Sequence, residues 1–247
     1  MTALLALEAV SYRFPGNQTP ALQAASLPIA AGQRIVVLGR NGAGKSTLLL
    51  VASGIIRPQQ GRVWLHGAPV DYSRSGLHRL RRHVGLVMQS PDDQLFSASV
   101  WQDISFGPLN LGLSAAAARQ AVLDAAAMCD VTDLLDRPTH ALSGGQKARV
   151  ALAGVLAMRP QCLLVDEATA GLDLWARHQV VQVFDRLVAE GGTVVLATHD
   201  LALARRWADL VVVLHEGRIV AVAPPAQVWA DPELRMLIAP PEAWEGW

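Results

Sequence analysis

The sequence predicts an α/β fold in which helices cover both faces of a mostly parallel sheet. From residue 143 to residue 222, apolar segments of strand length alternate with segments of helical length, as in parallel strands joined by crossover helices. Short, continuous apolar runs such as RIVVLG at 34–39 and TVVLAT at 193–198 are typical of strands buried on both faces. With 51% hydrophobic and 17% charged residues, a chain of 247 residues has the composition of a compact protein with a large core.

The elements follow one another in a regular order. Strands are predicted at 4–12, 34–39, 61–66, 84–88, 162–167, 193–198, 210–215 and 217–222. Helices are predicted at 44–54, 143–159, 173–190 and 200–207. Residues 90–142 lack a convincing strand and carry an alanine-rich helical pattern around 114–129, so we expect a helical insert. The proline-rich end, 224–247, predicts a short helix and a loosely packed tail.

Composition and charge exclude several classes of protein. The 21 basic and 21 acidic residues cancel, so we expect no nucleic-acid partner. Two cysteines, Cys129 and Cys162, are too few for a disulfide framework or a cysteine-rich metal site, which favours a reducing compartment and no disulfide partner. No uncharged apolar run approaches the roughly 18 to 20 residues of a membrane span, and the N-terminus lacks a signal-peptide pattern. We therefore expect a cytosolic protein that is neither exported nor integral to a membrane.

The clearest motif is the segment GRNGAGKS at 39–46. It fits the pattern G-x-x-x-x-G-K-[ST] and lies between a predicted strand and a predicted helix, as this phosphate-binding loop requires. Its glycines allow backbone N–H groups to converge on phosphate oxygens at the positive end of the helix dipole. We expect Lys45 to reach the β- and γ-phosphates and the Ser46 hydroxyl to bind Mg²⁺. The predicted contacts with a nucleoside triphosphate are Asn41, Gly42, Ala43, Gly44, Lys45, Ser46 and Thr47.

Two acids and a histidine follow predicted strands of the sheet. Asp166 and Glu167 end an apolar run, and because side chains alternate along a strand they are expected to have different roles. We assign Asp166 to the Mg²⁺ beside Ser46, and Glu167 to the attacking water as general base. The alternative is an ordinary helix cap formed by these acids and Thr169. His199 follows another core strand, where ligands of open α/β sheets collect, and is assigned a contact with the γ-phosphate.

The segment ALSGGQKARVALAGVLAMRP at 141–160 places these motifs in a family. With GRNGAGKST, Gln89, LLVDEATAGLD and His199, in this order, it resembles the nucleotide-binding subunits of ATP-binding-cassette (ABC) transporters, from about residue 3 to 222. The resemblance implies a P-loop NTPase that uses ATP and Mg²⁺. The implied ABC ATPase fold has a RecA-like, mostly parallel sheet core, a small N-terminal antiparallel β part and an α-helical subdomain. The implied domains are a core at 1–89 and 143–223, a helical subdomain at 90–142 and a C-terminal tail at 224–247.

The resemblance also implies that ATP is bound between two chains. Ser143 is suited to cap a helix whose first N–H groups are freed by Gly144 and Gly145, which makes a second anion site. In this family the Ser143 segment of a chain does not reach the phosphate loop of the same chain. Two copies, most simply a homodimer, are therefore implied to pack head to tail with ATP between them. Gln89 is implied to ligate Mg²⁺ and to link it and the water to the partner interface. The residues implied to act across the dimer are Ser143, Gly144, Gly145, Gln146 and Asp173.

An aromatic side chain usually stacks on adenine in this family, just ahead of a turn that contains glycine. Phe14 precedes Pro15 and Gly16 and is our assignment. Tyr12 is the alternative for the same role. Packing of either ring in the core, with no contact to nucleotide, is the remaining interpretation.

Residues 89–113, QSPDDQLFSASVWQDISFGPLNLGL, resemble the energy-coupling-factor (ECF) group, the ATPases of cobalt, nickel and vitamin uptake. In that group the segment docks a transmembrane T-component, which works with a substrate-binding membrane component. The implied function is ATP hydrolysis that energises import of cobalt or nickel ions, or of biotin or another vitamin, at the cytoplasmic face of the cell membrane. A soluble ABC ATPase that is not coupled to transport is the alternative. Ala168 replaces the family's usual proline, and Trp101 and Gln102 stand where acids are expected.

Overall fold

The computed structural model describes residues 3–168 and 172–244. The strands of this part are β1 (Leu5–Tyr12), β2 (Leu22–Ile29), β3 (Arg34–Leu38), β4 (Gln60–Leu65), β5 (Ala68–Pro69), β6 (Val84–Val87), β7 (Cys162–Asp166), β8 (Thr193–Ala197), β9 (Leu210–His215) and β10 (Arg218–Ala223). Its α-helices are α1 (Lys45–Ala52), α2 (Arg74–His83), α3 (Pro91–Gln94), α4 (Val100–Asn110), α5 (Ala115–Met128), α6 (Gly144–Leu156), α7 (Leu174–Ala189), α8 (Leu201–Trp207), α9 (Pro225–Ala230) and α10 (Pro232–Ile238). Short 3₁₀ helices span Thr132–Leu134, Thr139–Ala141 and Pro241–Trp244. None of the helices in the described ranges is both long and apolar enough to cross a bilayer.

The larger sheet confirms the predicted α/β class. Its strand order is β10-β9-β3-β8-β7-β6; β9 and β10 form an antiparallel hairpin and the other neighbours are parallel. Along β3, Ile35 and Val37 belong to one core while Val36 and Leu38 belong to the other, so the strand is buried on both faces. Because β3, β6, β7 and β8 run in the same direction, their carboxyl ends meet at one edge. The segments that carry Lys45, Gln89, Glu167 and His199 follow these ends.

The smaller sheet is antiparallel, with the order β2-β1-β4-β5, and it packs over one face of the larger sheet together with α1. Leu5 and Leu22 of this sheet, Leu48 of α1 and Leu164 of β7 are all buried in one core. Burial of such an aliphatic side chain contributes about 1.5–3 kcal/mol relative to exposure. This core fixes the smaller sheet beside the phosphate loop.

The segment 90–142 is helical, as predicted, and every residue in it is described. Helices α4 and α5 pack against α6, and no strand forms between residues 90 and 142. The hydroxyls of Ser99 and Ser114 cap α4 and α5. The buried carboxylate of Asp103 accepts the N–H groups of Phe96 and Ser97, which fixes the entry to α4. The division of the chain into a core, a helical subdomain and a tail stays a prediction.

The expectation of a loosely packed C-terminal tail is wrong for the residues up to 244. This stretch forms α9, α10 and a 3₁₀ helix, and Val228, Ile238 and Trp244 are buried in the main core. Both helices begin at a proline, Pro225 and Pro232, where the missing N–H costs nothing. The prolines therefore mark helix starts here, although their density suggested coil. Residues 245–247 lie outside the described part of the chain.

Two further elements, β2 and α2, were missed by the sequence analysis. β2 contains Pro28, which is rare inside strands, but it lies at the edge of the smaller sheet and pairs with β1. α2 is strongly basic, and only Gly76 and Leu80 are buried; Ser73 caps its start. Each predicted strand is found with ends within one residue of the expectation, and each predicted helix with ends within three.

Candidate active site

Most residues of the predicted phosphate loop, together with Phe14, Gln89 and Glu167, surround a cavity at the carboxyl edge of the larger sheet. Its volume is about 520 Å³, within the usual range for small-molecule sites. The lining residues are Phe14, Asn17, Ala21, Asn41, Gly42, Gly44, Lys45, Ser46, Thr47, Gln89 and Glu167. A larger cavity, of about 600 Å³, lies at the opposite edge beside Arg159 and Gly191, and the residues that line it include none of the predicted site residues.

The phosphate loop between β3 and α1 depends on glycine at two positions. A Cβ on Gly39 would lie 2.3 Å from the Leu214 carbonyl oxygen. A Cβ on Gly44, whose φ is +106°, would lie 2.4 Å from the Ala21 carbonyl oxygen. Gly44 is also the N-cap of α1, so the helix N-terminus opens at the cavity. Ala43 is buried and donates its N–H to the Arg40 carbonyl, and it is not among the residues that line the cavity.

Lys45 lies at the base of this cavity. Its Nζ donates to the Gly39 carbonyl oxygen at 2.9 Å and lies 3.2 Å from His199 Nε2 and 3.7 Å from Glu167 Oε1. Burial lowers the pKa of Lys45, and the carboxylates of Glu167 and Asp166 oppose that shift. The side chain thus brings a shielded positive charge to the position where the motif expects phosphates.

Asp166 and Ser46 form a hydroxyl–carboxylate pair. Asp166 is the last residue of β7 and accepts a hydrogen bond from Ser46 at the start of α1. Burial raises the pKa of Asp166, and the Ser46 hydrogen bond acts against this rise. No cluster of three or more histidine, cysteine or acidic side chains forms a metal site within residues 3–168 and 172–244. Two protein oxygens fit Mg²⁺, which commonly takes one or two protein ligands and completes its shell with phosphates and water.

Glu167, His199 and Gln89 converge beside Lys45. Glu167 Oε1 lies 2.7 Å from His199 Nε2, and Glu167 Oε2 accepts a hydrogen bond of 3.4 Å from Gln89 Nε2. The backbone of Glu167 has φ = +48°, unusual for a residue with a Cβ, and its N–H donates to Ala197 of β8. Such backbone strain, typically about 1–3 kcal/mol, is characteristic of functional sites. Glu167 lies one residue beyond β7, so this left-handed turn, and not strand alternation, sets its direction relative to Asp166. The two separate roles stay a prediction.

The aromatic candidates occupy different positions. Phe14 is 36% exposed and lines the cavity that contains Lys45, whereas Tyr12 lines a separate cavity. Their ring centroids are 5.0 Å apart in an edge-to-face arrangement. Asn17, which the sequence analysis missed, also lines the nucleotide cavity, and its N–H donates to the Phe14 carbonyl. The Pro-Gly-Asn turn after Phe14 was the available signal for this residue.

We expect Phe14→Ala to weaken ATP binding by about 5- to 100-fold, because stacking on a base is worth roughly 1–3 kcal/mol. Tyr12→Ala is the matched control and should change the dissociation constant by less than about twofold. Titration with a fluorescent ATP analogue measures both. A larger loss for Tyr12→Ala than for Phe14→Ala would move the assignment to Tyr12.

The start of α6 at residues 143–146, here called the Ser143 corner, is not part of this cavity. The Ser143 hydroxyl accepts the N–H of Gln146 while the Gln146 side chain accepts the N–H of Ser143, a complete capping box at the start of α6. Ser143 and Gly144 are exposed, and none of the four residues from Ser143 to Gln146 lines the cavity of the same chain. The Ser143 corner therefore lies outside the cavity of its own chain, and its contact with ATP on a second chain stays a prediction.

Asp173 lies close to this corner. Its side chain accepts the N–H of Ala176 and caps α7, and the residue is exposed. A Cβ on Gly145 would lie 2.9 Å from the Ala176 Cβ, so the first turns of α6 and α7 touch. The two segments that were expected to act across a dimer thus share one surface.

Comparison with known proteins identifies relatives over nearly the whole chain. A family model described as ABC transporter matches residues 22–170. The cobalt import ATP-binding protein CbiO of Rhodobacter capsulatus is 53% identical over 231 residues, which cover 94% of this chain and 82% of that protein. The energy-coupling factor transporter ATP-binding protein EcfA2 of Methanospirillum hungatei is 42% identical, and the match covers 95% of this chain and 58% of that protein.

Solved structures of ABC ATPases have the same fold as this chain. The structure of cbiO1 from Clostridium perfringens, described as part of the ABC transporter complex cbiONQ, has a TM-score of 0.83 and 40% identity, with 95% of this chain and 93% of that chain covered. A dimeric ATP-binding cassette in a post-hydrolysis state, bound to ADP and phosphate, has a TM-score of 0.82 and 25% identity, with 90% and 98% covered.

Proposed function

The chain belongs to the ABC transporter family, and we propose that it is the ATP-binding and ATP-hydrolysing subunit of an ECF-type importer that carries cobalt or nickel ions. As a member of that family the chain is an ATPase. The observation that carries the proposal is the convergence of Lys45, Glu167 and His199, whose side-chain nitrogen and oxygen atoms lie within 3.7 Å of one another beside the nucleotide cavity, in a chain whose 89–113 segment has the ECF pattern. The name of the Rhodobacter relative favours cobalt. Import of biotin or another vitamin is the alternative cargo.

Binding of ATP follows from the loop and its lysine. The tight turn at Gly39 and Gly44 and the N-terminus of α1 supply N–H groups for phosphate oxygens, and Lys45 supplies a buried positive charge. We assign adenine stacking to Phe14 at the mouth of the cavity. Ser46 and Asp166, with Gln89, would hold Mg²⁺, and a bound Mg²⁺ would neutralise charge on the phosphates.

Hydrolysis is assigned to the group around Glu167. Its carboxylate is the base that takes a proton from water, because it is fixed between His199 and Gln89 at the cavity. His199 donates a hydrogen bond towards the γ-phosphate, and Lys45 stabilises the negative charge that develops there. The contacts among Glu167, His199 and Lys45 hold the carboxylate base and the lysine cation in place before the reaction.

A second copy completes the site in this proposal. The exposed N-terminus of α6 at Ser143 and Gly144 is a second anion-binding group, and Asp173 lies on the same surface. When two copies face each other head to tail, the Ser143 corner of one copy covers the triphosphate on the Lys45 loop of the other. The dimeric cassette with bound ADP and phosphate supports this arrangement.

An exposed apolar surface supports docking to a transmembrane T-component, which works with a substrate-binding membrane component. Phe96 and Phe106 are 64% and 50% exposed and contact each other edge to face, with centroids 4.7 Å apart. Leu109 of α4 is also exposed. Contiguous exposed aromatic groups of this kind mark protein contacts. The chain would then lie as a peripheral subunit on the cytoplasmic face of the membrane.

The docking test is co-purification of the tagged chain with its membrane components. We expect Phe106→Asp to lower the recovered membrane subunit at least about tenfold, since it places a charge in an apolar contact, while ATP binding is unchanged. Met236→Asp, on an exposed apolar residue of α10, is the matched control and should retain recovery. If the unmodified chain captures no membrane subunit, the result favours the alternative of a soluble ABC ATPase. Uptake of radioactive cobalt, nickel and biotin by the purified complex in vesicles then identifies the cargo.

A further inference from the structure

The side chain of Arg177 joins two segments that border the site. Arg177 lies in the first turn of α7, four residues after the cap Asp173, and its guanidinium contacts the carboxylate of Asp200. The Asp200 side chain is only 15% exposed, so the ion pair is largely shielded from water. Shielding strengthens the attraction between opposite charges, and breaking one side of such a pair is costly.

Asp200 in turn holds the backbone beside His199. Its N–H donates to Thr198 Oγ1 at 3.1 Å, and its Oδ1 accepts the N–H of Leu203 at 2.9 Å, which caps α8. These bonds shape the segment locally, whereas the contact of Oδ2 with Arg177 ties it to another helix. The position of the His199 ring therefore depends on α7 through Asp200.

Two observations distinguish the Arg177–Asp200 ion pair from one that only links two helices. His199 is 43% exposed at its side chain, and its Nε2 lies within 3.2 Å of both Lys45 Nζ and Glu167 Oε1, so a shift of its backbone would break both contacts. In addition, the first turn of α7 contacts the first turn of α6 through Ala176 and Gly145. The ion pair thus connects the histidine with the surface that was assigned to the second copy.

We propose that Arg177 is a positioning residue for ATP hydrolysis. Its side chain holds His199 against Glu167, and it links that contact to the start of α7, where the second copy meets the chain. The inference rests on the proposed hydrolysis at a site shared by two copies. Removal of either member of the ion pair frees the segment 198–200 without touching the nucleotide loop.

The structure offers a matched control pair. Arg34 and Asp209 form an ion pair of 2.8 Å at the amino edge of the same sheet, away from the nucleotide cavity. Its members are 37% and 40% exposed. Arg34→Ala therefore removes a comparable arginine–aspartate contact that does not reach His199.

The test compares Arg177→Ala, Asp200→Asn and the double variant. Asparagine keeps the α8 cap and removes only the charge. We expect each single variant to lower kcat by about tenfold with the dissociation constant for ATP within about twofold, and the double variant to be no worse than either single. Arg177→Lys should recover most of the turnover, and Arg34→Ala should leave kcat unchanged. The NMR signal of the His199 ring should shift in Arg177→Ala and Asp200→Asn and stay in place in Arg34→Ala.

Three results would overturn the inference: unchanged kcat in both single variants, effects that multiply in the double variant, or an equal loss in Arg34→Ala. An unmodified chain that does not hydrolyse ATP would instead overturn the proposed function. In that case the His199 signal still decides whether Arg177 positions the ring, because that measurement requires no hydrolysis. An unshifted signal in both single variants would then reject the inference by itself.

Discussion

Replacement of Glu167 by glutamine is expected to lower ATP turnover by about 10²- to 10⁴-fold, the usual range for a lost general base. Glutamine keeps the size of the side chain and one of its two acceptor oxygens, but it does not accept a proton from water. The affinity for ATP should be unchanged, because the phosphate loop and Lys45 are intact. Phosphate release under saturating ATP and equilibrium binding of ATP measure the two quantities separately.

The same variant should accumulate as a closed dimer when ATP is present, because the step that would reopen it is blocked. Size-exclusion chromatography with and without ATP reports this change. Glu190→Gln is the matched control: it alters an exposed glutamate at the far end of α7 and should behave as the unmodified chain. Near-normal turnover of Glu167→Gln would remove Glu167 from the role of base.

Replacement of Ser143 by arginine is the second change with a large expected effect. A bulky cation at the exposed start of α6 would obstruct the contact with the second copy and leave N–H groups of α6 uncapped. We expect hydrolysis to fall by at least about 100-fold, the size of effect seen when one oxyanion-binding group is lost. The monomer should still bind ATP with its original affinity, since Ser143 does not line its own cavity. Analytical ultracentrifugation with ATP and a turnover assay measure both effects.

The loss of a helix cap alone costs about 0.5–2 kcal/mol, so it needs a separate control. Ser114 caps α5 in the same manner, by accepting the N–H of Ala117, and lies in the helical segment away from Lys45. Ser114→Arg should reduce stability by a similar amount while turnover and ATP-dependent dimerisation remain. Hydrolysis by a Ser143→Arg sample that stays strictly monomeric would contradict a shared site.

The sequence predicted those parts of the fold whose signal is local. The phosphate loop is a contiguous motif, and the parallel strands are continuous apolar runs, so both were located to within a residue or two. β2 was missed because Pro28 interrupts its strand pattern, and the C-terminal helices because prolines at helix starts resemble coil. Each of these elements depends on packing against distant residues, which a short sequence pattern does not reveal.

In the candidate site, too, the sequence does not reveal contacts between segments that are far apart in the chain. Residue types and order predicted that Lys45, Glu167 and His199 serve one reaction, because strands of a parallel sheet deliver their ends to one edge. The left-handed backbone of Glu167 and the contact of Arg177 with Asp200 required the structure. They arise from tertiary geometry between segments that are far apart in the chain.

The central claim is that one copy holds the triphosphate and another copy covers it. The most direct measurement is a crystal structure of the Glu167→Gln variant with ATP. Our account predicts that the γ-phosphate lies between Lys45 of one copy and the Ser143 hydroxyl of a second copy, within hydrogen-bonding distance of both. A structure in which ATP is bound on the Lys45 loop while Ser143 faces only solvent in every assembly would contradict it.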